Sequence, residues 1–360
     1  MIMDINCIQK LTDESVQLLK DMIAIPSPSF SEDEVCAYIS KWLSERNVVH
    51  QRVGNNIIAE HINAPDRPTL MLCAHIDTVA PCEGYSFDPY RPADCPEDMV
   101  QGLGSNDDGA SVVSMIAAYR YFLSRNSSCN LMLVLTCEEE RSGAGGMTGL
   151  WDSLKDKVDH AIIGEPTGMQ AATSERGLLV IDATARGVSG HAARNEGINA
   201  ILVALEDIEK LRRHDFARIS PRMGKVCLNV TQINAGTAHN VIPDICTFVI
   251  DIRPTEQYTN EEILEELQSI CRSGLKPRNL KNRSSATYVD SPLQKIAEKS
   301  GIGTFSSPTT SDWMRIGCDA IKMGPGDSSR SHRKDEFVFI TEIEEGIRTY
   351  IEFIYEYTLE

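Results

Sequence analysis

With 360 residues, 42% of them hydrophobic and 24% charged, the chain is too long for one ordinary core and too apolar for disorder, so two globular domains are expected. Its acid surplus, 35 basic against 52 acidic residues for a net charge of −17, argues against nucleic acid or an anionic membrane surface as a partner. No apolar run reaches the ~18–20 residues of a bilayer crossing, and the opening stretch lacks the basic and apolar regions of a secretory signal. Eleven cysteines scattered singly, without a CxxC pair, fit reduced thiols, so a cytoplasmic location is expected.

In chain order, Ser31-Glu32-Asp33-Glu34 reads as a capping box opening a helix whose Val35, Ile39, Trp42 and Leu43 share one face. Residues 69–74, 131–135 and 161–163 are short apolar runs, the pattern of strands buried on both faces. A helix is predicted over 110–123, between the first two, which gives the alternation of an α/β sheet with parallel strands. After about residue 173 the pattern changes. Strand-like runs at 178–185, 226–233 and 246–252 alternate with helices at 198–212 and 260–272, and none of these runs ends in acids plus histidine. From residue 284 the first pattern resumes and closes with a helix over 341–357. The expected fold is an α/β domain with a mixed, mostly parallel sheet, residues 1–172 and 284–360, interrupted by an inserted α+β domain over 173–283.

Ligands of open α/β sheets bind at the carboxyl ends of the strands. Those ends carry His75-Ile76-Asp77, Glu138-Glu139-Glu140 and Glu165, and Asn106-Asp107-Asp108-Gly109 precedes the helix at 110 on the same rim. A lone histidine is more often a core residue than a ligand, and three glutamates in a row are usually a solvated face. Here, however, several carboxylates converge with no basic cluster to offset them, and such a crowd is stable only around a cation. Imidazole plus carboxylate without cysteine suits zinc, or manganese or cobalt in its place. The number of carboxylates points to two ions sharing one, an arrangement that activates water and polarises a carbonyl.

In order along the chain, Ala74-His75-Ile76-Asp77-Thr78-Val79, Gly102-Leu103-Gly104-Ser105-Asn106-Asp107-Asp108-Gly109, Glu138-Glu139-Glu140 and Ile163-Gly164-Glu165-Pro166-Thr167 resemble the M20 metallopeptidase family. Asn240-Val241-Ile242-Pro243-Asp244, Asp251-Ile252-Arg253, Gly324-Pro325-Gly326 and His332 extend the resemblance over nearly the whole chain. It implies that His75 and Glu165 hold one metal, Glu140 and His332 the other, and that Asp107 bridges them. It implies further that the peptide between Asp107 and Asp108 is cis, that Asp77 orients His75 and that Glu139 is the general base. In the inserted, ferredoxin-like domain, which would serve as dimerisation domain and lid, His191 matches an oxyanion-stabilising residue that reaches a partner subunit's site. Arg253 and Asn240 match residues that hold a substrate carboxylate. Leu103, where the family usually has arginine, Glu138 in place of aspartate, and the missing lysine after Asp107 depart from the pattern.

The expected activity is thus hydrolysis of the amide bond of a small N-acyl amino acid by a homodimer. Length and the 163–167 run look most like the acetylornithine deacetylase branch, which would imply arginine biosynthesis. Succinyl-diaminopimelate desuccinylase, an aminopeptidase or dipeptidase on the same two metals, and an inactive binding homologue are the alternatives.

Overall fold

The computed structural model describes residues 5–357 apart from positions 94, 126, 128 and 195. Helices α1 (Ile5–Ile23) and α2 (Asp33–Glu45) lead into strands β1 (Gln51–Val53), β2 (Asn56–His61), β3 (Thr69–His75) and β4 (Met99–Gln101). There follow α3 (Ala110–Phe122), β5 (Asn130–Thr136), α4 (Met147–Leu154), β6 (His160–Ile163) and β7 (Ala171–Glu175). Next come β8 (Leu179–Arg186), β9 (Gly190–His191), α5 (Ala200–Arg213), β10 (Cys227–Ala235), β11 (Val241–Ile242), β12 (Ile245–Arg253), α6 (Asn260–Ile270) and β13 (Gly274–Pro277). The chain ends with β14 (Ser285–Ala286), α7 (Pro292–Lys299), β15 (Thr304–Ser307), β16 (Asp319–Lys322), β17 (Phe337–Phe339) and α8 (Ile340–Tyr357). Two compact units result. One comprises residues up to 173, 286–305 and from 311 onward; the other comprises 174–285 and 306–310. The periodicity of the sequence does not flag 306–310 as part of the second unit.

The first unit is built on a mixed sheet running β1-β2-β5-β3-β6-β16-β7. Its centre is parallel: β3 pairs with β5 and β6, and β16 with β6, in the same direction. On one side β2 joins antiparallel to β5, and on the other β7 joins antiparallel to β16. Strand β3 shows why its residues read as an unbroken apolar run. Leu70, Leu72 and Ala74 enter the core beneath α1, α3 and α8, while Met71 and Cys73 enter the core on the other face. Strand β5 does the same with Leu131, Leu133 and Leu135 against Met132 and Val134. Alternation along a strand places neighbours on opposite faces, so a sheet covered twice has no polar positions to spare. Helix α3 follows the same logic, with every residue except Arg120 buried.

The capping box expected at Ser31 is not formed. Glu32 occupies the cap position without a side-chain cap bond. It is buried and turns its carboxylate the other way, accepting from the backbone N–H of Phe30 at 2.8 Å and of Glu138 at 3.1 Å. Two N–H groups outside the helix outcompete the helix's own donors. The apolar face predicted for this helix is as expected, with Val35, Ile39, Trp42 and Leu43 all buried.

The second unit is a four-stranded antiparallel sheet in the order β10-β12-β8-β13, with α5 and α6. Leu179, Ile181, Ala183 and Ala185 of β8 and Cys246, Phe248, Ile250 and Ile252 of β12 line its core. Helix α6 starts at a true capping box, in which Thr259 and Glu262 satisfy each other's backbone donors. All eleven cysteines are free thiols. Among the described residues no helix is long and apolar enough to cross a membrane.

Candidate metal centre

The rim at the carboxyl ends of β3, β5 and β6 gathers the acids. His75 is the last residue of β3, Glu139 and Glu140 sit on a short 3-10 turn just after β5, and Glu165 lies two residues beyond β6. Asp107 belongs to a tight turn, residues 105–109, that carries a cis peptide between Asp107 and Asp108. Donor atoms of His75, Asp107 and Glu140 lie within 4.8 Å of one another, as do those of His75, Glu139 and Glu165.

The tautomer of His75 follows from its surroundings. Its Nδ1 lies 2.9 Å from the backbone carbonyl oxygen of Asp77, which can only accept, so Nδ1 carries the proton. That leaves the lone pair of Nε2 aimed at Asp107 Oδ1, 3.2 Å away. The other oxygen of the same carboxylate, Oδ2, lies 3.6 Å from Nε2 of His332, which is also 2.9 Å from Glu140 Oε1. One carboxylate thus faces an imidazole on either side, each pair being two electron-rich groups that a proton or a metal ion must reconcile. The donor set could hold cations: His75, Asp107 and Glu140 form one cluster, His75, Glu139 and Glu165 another, and His332 adjoins Glu140 and Asp107.

Asp77 organises the turn behind this site. Its Oδ1 accepts from the backbone N–H of Glu139 at 3.0 Å, and its Oδ2 from that of Glu140 at 3.2 Å and from the Ser29 hydroxyl at 2.7 Å. Charge-assisted bonds of this kind fix both glutamates relative to His75, which Asp77 also touches.

Without a cation the acids are driven toward their neutral forms. Burial raises Glu139 and Glu165 well above the usual carboxylate range, and each is raised further by neighbouring carboxylates. Burial pushes Asp108 up to about 8, with Asp107 adding to the rise. Against burial, the Asp107 and Asp77 carboxylates raise His75 well above the ordinary imidazole value, while Asp107 itself is held low by the two histidines. Glu140 lifts His332 to about 9.

Two acids that the sequence did not single out belong to this surrounding. Asp312, on a 3-10 turn, accepts from the Thr136 hydroxyl at 2.7 Å, and burial pushes it up to about 6. Glu336 lies four positions beyond His332 and binds the backbone of the Asp107 turn; burial pushes it up to about 7. No local pattern marks either residue, because their partners are far away in the chain.

The other expected site residues lie in the second unit. His191 and Asn240 are brought side by side: β9 pairs with β11, placing His191 opposite Val241, and the N–H of Ala192 donates to the Asn240 carbonyl at 3.0 Å. Both are exposed. Arg253 ends β12 with its guanidinium already engaged, Nε 2.8 Å from Asp251 Oδ1 and Nη2 3.1 Å from Oδ2. A carboxylate ligand at Arg253 has to share or displace Asp251.

Comparison with known proteins agrees with this geometry. A peptidase dimerisation domain of the M20 group matches residues 173–279, and peptidase family M28 matches residues 56–162. A probable carboxypeptidase of Emericella nidulans is 25% identical, with 93% of this chain and 87% of the relative covered. The chain thus resembles the M20 metallopeptidases, through the dimerisation-domain match and through its carboxypeptidase relative. An acetylornithine deacetylase of Proteus mirabilis is 29% identical over 76% of each chain. The solved structure of a Bacillus subtilis protein, described as a dinuclear metal-binding M20 peptidase, superposes with a TM-score of 0.74 at 16% identity, covering 98% of this chain and 99% of that one. The chain is accordingly a metal-dependent hydrolase with a mixed, mostly parallel α/β fold and a second unit that matches the peptidase dimerisation domain.

Proposed function

We propose that this enzyme hydrolyses an amide whose nitrogen belongs to an amino acid with a free carboxylate, with N-acetyl-ornithine and its N-acyl relatives as the first substrates to test. Arginine biosynthesis would be its setting if ornithine is the product. The observation that carries the reading is the Asp107 carboxylate presenting one oxygen to His75 and the other to His332, with Glu139 beside them. Two divalent ions, zinc or cobalt or manganese, would supply Lewis acidity there, lowering the pKa of water and polarising the amide carbonyl.

The protein's own part is positional. Asp77 fixes the backbone of Glu139, so that its carboxylate can take a proton from the attacking water and return it to the departing nitrogen. Asp77 also sets the tautomer of His75 through its carbonyl. The exposed His191 would donate to the developing oxyanion, and Arg253 with Asn240 would hold the substrate carboxylate. By family resemblance His191 would be supplied by the partner chain of a homodimer.

A second reading, a carboxypeptidase or dipeptidase, is favoured by the name of the Emericella nidulans relative. Both activities cleave an acyl group from the nitrogen of a carboxylate-bearing amino acid and differ in the acyl portion alone. Initial rates on N-acetyl-ornithine, N-succinyl-ornithine, N-acetyl-citrulline, succinyl-diaminopimelate, free dipeptides and amino-blocked dipeptides would separate them. Preference for N-acyl-ornithines supports the first reading and preference for peptides the second. No hydrolysis of any of them by the zinc-loaded protein would refute both.

A further inference from the structure

Glu336 makes more contacts to the Asp107 turn than any bond within that turn explains. Its carboxylate is 2% exposed and has no cationic partner at this turn; it accepts three backbone N–H groups instead. Oε2 takes Gly104 at 3.0 Å, and Oε1 takes both Asn106 and Asp107 at 2.9 Å. The backbone carbonyl of Glu336 takes a fourth, from Gly102 at 2.9 Å. Immediately after it, Phe337–Phe339 pairs antiparallel with Met99–Gln101, which continues the same tie in the form of a sheet.

The tie runs in both directions. Asn106 Oδ1 accepts from the N–H of Asp327 at 2.9 Å, and its Nδ2 donates to the Asp327 carbonyl at 3.1 Å. The segment from Asp327 to Glu336, which carries His332, is therefore stitched at both ends to the segment that carries Asp107. His332 sits between the stitches with a left-handed φ of 57°, a conformation a non-glycine residue keeps only when its surroundings impose it.

We propose that Glu336 is a positioning residue that locks the Asp107 turn to the His332 loop, so that both metal ions depend on it although it touches neither. The proposal rests on the two-ion reading given above. The donor geometry makes the role specific to a carboxylate. One oxygen must accept two N–H groups and the other a third, so an amide in its place turns an NH2 donor toward an N–H donor. Asp107 is the shared carboxylate, and loosening its turn therefore weakens both ions together; losing a ligand that serves one ion does not.

Zinc titrations of the full-length metal-stripped protein followed by calorimetry, with cobalt absorption spectra as a second readout, test this on wild type, E336Q, E336D and E140Q. Wild type should take two equivalents. E336Q should lose ~10–100-fold in affinity for both, the usual effect of removing a residue that orients metal ligands, and its cobalt spectrum should change while its far-ultraviolet circular dichroism does not. E336D, which keeps the charge and loses one methylene of reach, should fall between wild type and E336Q, and it serves alone if E336Q does not fold. E140Q should weaken one equivalent selectively. If E336Q and E336D bind two zinc ions as wild type does and show only a lower melting temperature, Glu336 merely supports the fold and the proposal is wrong. Loss of a single equivalent in E336Q also overturns it. A wild-type chain that binds no zinc refutes the two-ion reading itself, and this inference with it.

Discussion

Stripping the metal should make this protein less stable as pH rises, over a range where carboxylate-rich proteins ordinarily gain stability. Asp312 titrates near 3.8 when unfolded and at about 6 when folded, and Glu336 moves from 4.5 to about 7. A carboxyl whose folded value is raised stabilises the fold fully below its unfolded value, and that contribution is lost as pH climbs through the folded one. At ~1.4 kcal/mol per pH unit, each of these two acids costs ~3 kcal/mol by the time it is forced to ionise. Asp108, pushed up to about 8, extends the loss upward. His332, raised from 6.5 to about 9, adds in the same direction, because its stabilising proton is lost as pH rises toward 9. Asp107, held low, acts only in acid below this window. From these two acids alone the stripped chain should lose about 4 kcal/mol between pH 5 and 8, a fall of roughly 10 °C in melting temperature for a unit of this size, and Asp108 and His332 add to it. Excess zinc should flatten or reverse the slope, because the ion replaces the protons and binds more tightly as they leave. The assay is a melting series at pH 5 to 9, with chelator and with zinc, in buffers of equal ionic strength. A stripped chain whose melting temperature is flat or rises between pH 5 and 8 would refute the picture of buried acids kept neutral by the fold.

Glu139→Gln should lower kcat by at least ~10², the usual contribution of a general base, with metal content near wild type. Glu140→Gln should lose metal; the opposite pattern would mean that the two glutamates have exchanged roles. His191→Ala should cut kcat by ~10²–10³, the cost of one oxyanion donor, and mixing it with Glu139→Gln chains should restore part of the activity if the site is shared across a homodimer. Verified heterodimers without recovery, or a fully active monomer by light scattering, would rule the sharing out.

The strands were legible because burial on both faces leaves an unmistakable trace: 69–74, 131–135 and 161–163 tolerate almost nothing but apolar residues. Against that background His75, Glu139, Glu140 and Glu165 stand out as polar groups at the ends of strands, where the local sequence alone does not justify them. Ser31 misled because a capping box is a local pattern, and Glu32 was claimed by Phe30 and Glu138. Glu336 and Asp312 left no trace for the same reason reversed. Glu336 accepts from residues more than 200 positions away, and Asp312 from Thr136, so nothing adjacent to either records what it does. Arg253 was named through the family resemblance, but its partner Asp251, two residues back on the same strand, is visible as such only once the side chains are placed.

The stitches from Asn106 to Asp327 and from Glu336 to the Asp107 turn join segments that leave the ribosome far apart in time. Synthesis proceeds from the amino terminus and early regions begin to fold first, so β3, β5 and β6 can assemble while the Asp107 turn still lacks its clamp. An unfinished chain therefore carries its acids without the loop that completes their arrangement, and the hydrolytic centre closes only once residues 327–336 have emerged.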